Sequence, residues 1–194
     1  MAFYSQEQLQ ALGFKRLGNG VRLSDRASVH NAANIEIGDG SRVDDFCVLS
    51  AGEGGIAIGR HVHVAVYCSL IGAARIEIHD FAGVSSRVGI YSSNDDYSGE
   101  FMTGPTVPTA YTHVTSAPVV VGRHVVIGAG SIVLPGVTLH EGSGVGALSL
   151  VKRDCDAFGM YTGVPAVRVG SREKGMLERE RVFSESQRAG GANR

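Results

Sequence analysis

The chain has 194 residues, a formal net charge of −1, 27 glycines and no tryptophan. This length suits one domain with at most a small appendage, and a composition of 43% hydrophobic and 19% charged residues excludes a disordered chain. The near-neutral charge argues against nucleic acid or an anionic membrane as a partner. Since the sequence has neither an apolar stretch of about 20 residues nor a signal-peptide pattern, we expect no membrane insertion and a cytoplasmic location.

A short helix is predicted at the amino terminus. Ser5 and Gln8 have the spacing of a capping box, Leu9 and Leu12 form an apolar side, and Gly13 is a typical helix end. We expect residues 1–20 to form a helical cap that shields the open end of the next domain.

Large aliphatic residues then recur every six positions, a period that fits neither an α-helix nor a single strand. It is typical of a triangular solenoid in which each short strand points one side chain into the axis. The ladder runs through Ile37, Val43, Leu49, Ile58, Val64, Leu70, Ile78, Val84, Ile90, Val121, Ile127, Val133, Leu139, Val145 and Val151. Shifts between sets indicate extra residues at some corners. The sequence therefore predicts an all-β solenoid over residues 21–169, with Cys68 and Cys155 buried in its interior rather than in disulfides.

The period is absent between residues 94 and 118, where acidic and aromatic residues and prolines concentrate. Loops of this length without their own structure are usually functional or disordered, and the aromatic residues and prolines favour order, so we predict one long inserted active-site loop. After the ladder ends, Tyr161–Val169 predicts a last extended segment. Residues 170–194 are assigned to a carboxy-terminal helix, Glu173–Gln187, and a frayed tail from Ala189.

The hexads, the loop YSSNDDYSG and the run IGAGSIVLPGV…VGALSLV…YTGVPAVRV resemble the hexapeptide-repeat acyltransferases, within them the sugar acetyltransferases of surface-polysaccharide pathways. The resemblance implies a left-handed parallel β-helix and a homotrimer with its sites between subunits. It also implies acetyl-CoA as cosubstrate, with no metal.

The galactoside- and maltose-type relatives carry a catalytic histidine at the start of the loop, and Asp95 stands at that position here. An aspartate with an ordinary pKa of about 3.9 is a poor base for a hydroxyl, but it can hold an ammonium group or accept the proton that the group loses. In related nucleotide-sugar N-acetyltransferases the coenzyme A sulfur is the other candidate to take the last proton. The resemblance thus favours N-acetylation of a nucleotide-linked amino sugar by direct attack in a ternary complex. Asp96 and Glu100 are further candidates, and His113 at the far end of the loop is the alternative base for O-acetylation.

For coenzyme A, the resemblance points to the later coils. We expect the backbone N–H groups of Ala129, Gly146 and Ala147 to bind its pantetheine arm. We expect the cationic side chains of Lys152, Arg153 and Arg168 to bind its phosphates.

Two other classes stay open. A γ-carbonic-anhydrase-like zinc solenoid needs three histidine ligands, and His61 and His63 offer a pair without an evident third. A non-catalytic trimeric scaffold needs no site. We expect His61, His63 and His124 to be structural or interfacial.

Overall fold

The amino-terminal helix forms where its capping residues predict it. In the computed structural model, which describes residues 1–191, Ser5 caps helix α1, Gln6–Ala11, and its capping box with Gln8 is formed in both directions. Leu9 is buried in the core and closes one end of the solenoid. The first strand, Arg16–Leu17, begins a few residues before the predicted boundary at residue 21.

The strands that follow wind into a left-handed parallel β-helix of about seven turns, with three sheets as its faces. The first face consists of Arg16–Leu17, Ile35–Ile37, Ile56–Ile58, Ile76–Ile78, Val119–Val121 and Thr138–Leu139. The second face consists of Arg22–Leu23, Arg42–Val43, His63–Val64, Gly83–Val84, Val126–Ile127, Gly144–Val145, Gly159–Gly163 and Ala166–Ser171. The third face consists of Ser28–His30, Val48–Ala51, Ser69–Gly72, Gly89–Tyr91, Ile132–Val133 and Leu150–Val151. Neighbouring coils pair in parallel throughout, as the six-residue ladder predicts.

The predicted ladder residues fill the axis of the helix. Ile37, Ile58 and Ile78 stack on the first face and are at most 1% exposed. Ile58 follows Leu49 by nine positions, whereas successive ladder residues in the later coils are six positions apart. The predicted shifts are therefore extra residues between the third and first faces. The inserted segment leaves the helix at this same corner, which we call the loop corner.

The chain end departs from the prediction in its details. The last extended segment is an antiparallel hairpin, Gly159–Gly163 with Ala166–Ser171, at the edge of the second face. Helix α2 spans Gly175–Gly191 rather than Glu173–Gln187, and it therefore includes the first residues of the predicted tail from Ala189. The rest of the predicted tail, 192–194, lies outside the described residues. No helix within residues 1–191 is long and apolar enough to cross a membrane.

The other two corners turn through stacked residues in the left-handed backbone conformation. The corner between the first and second faces, which we call the covered corner, has His61, Phe81 and His124 with φ between 54° and 61°. The corner between the second and third faces, which we call the open corner, carries in the same conformation Phe46, Tyr67, Arg87 and Leu148.

Candidate functional site

The inserted loop is ordered and closes on itself. Ser93–Asn94 pairs antiparallel with Thr115–Ser116, so the two ends of the loop meet at the loop corner. A single 3₁₀ turn, Thr109–Tyr111, lies between them. Asp95 is exposed and lines a cavity of about 460 Å³ enclosed by this loop, together with Tyr97.

The other acidic candidates have different surroundings. The Asp96 carboxylate accepts hydrogen bonds from the Ser98 hydroxyl at 2.8 Å and the Gly99 N–H at 3.1 Å. The Ser98 hydrogen bond is the main reason that the pKa of Asp96 falls below its ordinary value. Asp96 therefore stabilises a turn, the common role of acidic loop residues. Glu100 is exposed, and neither residue lines the loop cavity with Asp95.

His113 lies near the closed base of the loop but outside its cavity. Its ring stacks on Phe101 with centroids 5.1 Å apart, and it is solvent-exposed. The loop does fold back as the alternative base requires, but His113 and Asp95 do not line a common cavity in this chain.

A groove runs along the second face, parallel to the helix axis. Two cavities of about 240 Å³ and 290 Å³ are both bordered by Val126. Val126 lies between Gly83 and Gly144 in neighbouring coils. The outer surface is free of side chains at Gly83, whereas the Arg172 side chain packs over Gly144. At the carboxy-terminal end, Arg172 donates to the carbonyls of three corner residues at 2.9–3.2 Å and fixes the groove wall.

The open corner borders this groove with unused backbone amides. Among the described residues, neither Ala129 N–H nor Ala147 N–H has an acceptor. The Gly146 N–H is different, since it donates to the Tyr161 carbonyl at 2.8 Å. Gly146 lines the groove but cannot offer the predicted amide, whereas Ala129 and Ala147 are both exposed and available.

The three predicted phosphate-binding cations are not brought together. Lys152 and Arg153 are exposed at the loop corner, directly after the strand Leu150–Val151. Arg168 lies on the last strand of the second face and donates to Gly170 and Ser171.

Ser85 is a further residue on the wall of this groove, and the sequence analysis did not name it. It follows the strand Gly83–Val84 at the open corner and lines the smaller groove cavity. Its carbonyl accepts from the buried Cys68 thiol at 3.0 Å, while its hydroxyl has no partner among the described residues. The sequence offered no signal, because Ser85 looks like the other small residues at the coil corners.

The histidines and cysteines do not form a reactive cluster in the described part of the chain. His61 stacks on Phe81 at the covered corner, while His63 contacts Asp44, so the two rings have different neighbours. Residues 1–191 contain no group of three metal-binding side chains. The three cysteines are free and buried as predicted, and burial raises the pKa of Cys155 to about 11.

Known proteins resemble this chain over nearly its whole length. The chain is 53% identical to a dTDP-4-amino-4,6-dideoxy-D-glucose acyltransferase of Escherichia coli, over 96% of this chain and 97% of that protein. It is 30% identical to a putative lipopolysaccharide biosynthesis O-acetyl transferase of E. coli K12, covering 72% and 69%. No family model matches.

Among solved structures, the fold matches AntD, an N-acyltransferase from Bacillus cereus. A serine-to-alanine variant of AntD in complex with dTDP-4-amino-4,6-dideoxyglucose and coenzyme A superposes with a TM-score of 0.91 and 41% identity, covering 95% of this chain and 98% of that one. Other AntD structures carry substitutions of the same serine or of an aspartate.

Proposed function

The chain belongs to the hexapeptide-repeat sugar acyltransferases, and from that premise we propose that it transfers an acyl group from coenzyme A to the amine of a dTDP-linked 4-amino sugar. The observation that carries the proposal is Asp95, a carboxylate on the wall of the loop cavity where hydroxyl-acylating relatives keep a histidine. A carboxylate can hold an ammonium group but is a poor base for a hydroxyl. The second-face groove beside Gly83 is the site for the acyl-CoA.

The substitutions made in AntD support Asp95 and also indicate Ser85. The aspartate substituted in AntD follows the substituted serine by ten residues, and Asp95 follows Ser85 by ten residues here. We therefore assign Ser85, together with Asp95, to the reacting centre. The free Ser85 hydroxyl can donate to the thioester oxygen as negative charge develops on it.

Ser85 and Asp95 lie at opposite edges of the third face, separated by the strand Gly89–Tyr91. We propose that the loop of one subunit completes the site on the open corner of the next, in a homotrimer. The charges fit, since the loop tip carries acidic side chains, whereas Arg87 at the open corner has no carboxylate partner among the described residues. Apolar side chains exposed along this corner favour burial against a second copy.

The reaction proceeds by direct attack, without an acyl-enzyme. The sugar ammonium loses one proton to a base, its lone pair attacks the thioester carbon, and the carbon–sulfur bond breaks. The nitrogen then loses a second proton, which the leaving thiolate takes up. All three cysteines are buried and are not nucleophiles, so the rate depends on positioning and on stabilising the oxyanion. We place the reaction in the cytoplasm, where acyl-CoA and nucleotide sugars are made, and in the synthesis of a surface polysaccharide.

The test is thiol release from acetyl-CoA and from 3-hydroxybutyryl-CoA, the acyl donor bound in one AntD structure. The acceptors are dTDP-linked and UDP-linked amino sugars and free galactosides. We expect turnover only with a dTDP-amino sugar and a loss of kcat of about 100-fold in Asp95→Asn. Asp96→Asn is the matched control, because that carboxylate stabilises a turn. Turnover of hydroxyl acceptors that is insensitive to Asp95→Asn would instead indicate O-acylation with His113 as base.

A further inference from the structure

His63 is the one histidine that lies on the wall of the second-face groove. It shares the smaller cavity with Ser85 and Val126. Its side chain is 52% exposed, so the ring contacts solvent as well as protein. The strand that pairs with it on one side contributes Arg42, and the strand on the other side contributes the uncharged Gly83.

The ring of His63 is held by a buried carboxylate. Its Nε2 lies 2.8 Å from Oδ2 of Asp44, a residue only 4% exposed. The other carboxylate oxygen accepts from Nε of Arg42 at 2.5 Å. Asp44 thus has one fixed donor on each oxygen, and the chain Arg42–Asp44–His63 is aligned across two coils.

This geometry determines the state of the imidazole. Burial alone would raise the pKa of Asp44, but the hydrogen bonds from Arg42 and His63 outweigh it and hold that pKa below its ordinary value. Because an ionised carboxylate only accepts hydrogen bonds, Nε2 of His63 must carry the hydrogen. In the neutral ring Nδ1 is then the free acceptor, and it has no partner among the described residues.

We propose that His63 is a further catalytic residue, which accepts through Nδ1 the proton that the acceptor ammonium loses before it attacks. This inference rests on the proposed function. Asp95 holds the ammonium group and His63 removes one proton from it, leaving the amine lone pair free. The imidazolium that forms is stabilised by Asp44, and the exposed ring then returns the proton to solvent. The second proton goes to the thiolate of coenzyme A, so both protons lost from nitrogen are accounted for.

His79 provides a matched control. Its side chain is 50% exposed and its Nε2 lies 3.4 Å from Glu77, but it is on the first face, away from the groove. We expect His63→Gln to lose about 100-fold in kcat with little change in either KM, because glutamine keeps the hydrogen-bonding groups but cannot take up a proton. His79→Gln should keep the wild-type kcat. Thermal unfolding of both variants checks that the fold is retained.

The pH profile separates a proton acceptor from a structural residue. Activity requires neutral His63, so we expect kcat to fall at low pH. Removing the neighbouring negative charge in Asp44→Asn destabilises the imidazolium, and the acid limb of the kcat profile should move to lower pH. Arg42→Gln removes a positive charge near the same ring and should move the limb to higher pH.

Each outcome decides the proposal. If His63→Gln has the kcat and pH profile of His79→Gln, or if neither charge substitution moves the acid limb, His63 is not the proton acceptor, and the acyltransferase assignment is unaffected. If His63→Gln does not fold, the opposite limb shifts of Asp44→Asn and Arg42→Gln still test it. If the wild-type protein acylates no amino sugar, the proposed function fails and this inference fails with it.

Discussion

The covered and open corners share the left-handed backbone conformation, but only the covered corner is packed under another element of the chain. At the covered corner, His61, Phe81 and His124 stack at 5.2–5.3 Å, and helix α2 closes over them through Phe183 and Glu180. At the open corner, Phe46 and Tyr67 stack at 4.9 Å, and Arg87 lies over the Tyr67 ring. No element of the described chain covers this second stack, and its rings, Phe46 and Tyr67, are 44% and 49% exposed.

This difference in coverage shows that the six-residue repeat alone does not determine where a ligand or a second subunit can bind. A coil corner is a tight turn whose stacked side chains form a ridge along the axis. Where a segment of the same chain covers the ridge, the corner contributes to stability. Where the ridge is left exposed, its neighbouring groove and backbone amides are free for a ligand or a second subunit.

The largest expected effect comes from charging the open corner. Tyr67→Asp places a carboxylate in the uncovered stack, and an aspartate is tolerated in the left-handed conformation that Tyr67 adopts, φ 62°. We expect the proposed trimer to dissociate and acyl transfer to fall by about 100-fold, because Ser85 and Asp95 of one subunit do not meet. Light scattering coupled to gel filtration measures the mass. The control is Val182→Asp on helix α2, equally exposed at 50%, and a variant Tyr67→Asp that stays trimeric contradicts the interface.

The next largest effect is expected from a substitution that fills the second-face groove. A Cβ added at Gly83 meets only Val126, at 4.0 Å, so the backbone tolerates a side chain there. Gly83→Val should fold with unchanged or slightly higher stability, since valine favours a strand. Its side chain would occupy the cavity next to Ser85, and we expect kcat/KM for acyl-CoA to fall about tenfold. Wild-type kinetics in Gly83→Val would place the acyl-CoA outside this groove.

The six-residue ladder was enough to predict the fold, because each buried aliphatic has one counterpart in the next coil. The capping box likewise predicted helix α1 directly. What the pattern could not predict is which corner is covered. The contact between Phe183 and His61 joins residues far apart in sequence, and the apolar positions of helix α2 alone do not identify their partner.

Asp95 was assigned to the site from its place at the start of the loop, and that assignment stays a prediction. Ser85 was not named, and His63 was interpreted as structural or interfacial, because the hydrogen bond from His63 to Asp44 crosses between coils and no local motif records it. Gly146 was assigned an amide that pairing with Tyr161 already uses.

A smaller effect tests the covered corner. Phe183→Ala removes the ring that packs edge-on against His61 and Phe81 at 5.1 Å and 6.1 Å. Because Phe183 is 36% exposed, we expect a loss of about 1–2 kcal/mol in the free energy of unfolding, below that of a fully buried ring. The kinetic constants should not change. Denaturant unfolding compared with Val182→Ala measures the loss, and a matching loss of activity would mean that the covered corner also supports the site.

The smallest expected effect is an ion pair at the start of the covered corner. Asp80 accepts from Arg60 at 2.7–2.9 Å. Burial alone would raise the pKa of Asp80, but the hydrogen bonds from Arg60 prevail and lower it. Because the folded pKa lies below the unfolded value of about 3.9, the stabilisation is present above that pH and is lost as pH falls through the folded pKa.

Arg60→Gln should therefore be less stable than the wild type at pH 7 by under about 1 kcal/mol, since Arg60 is 59% exposed and solvent screens the pair. The difference should shrink as the pH falls below about 4, and also in about 1 M salt. Denaturant unfolding across this range measures it. A difference that stays constant with pH would mean that Arg60 stabilises the corner by packing rather than by its charge, and the two corners would then differ in coverage alone.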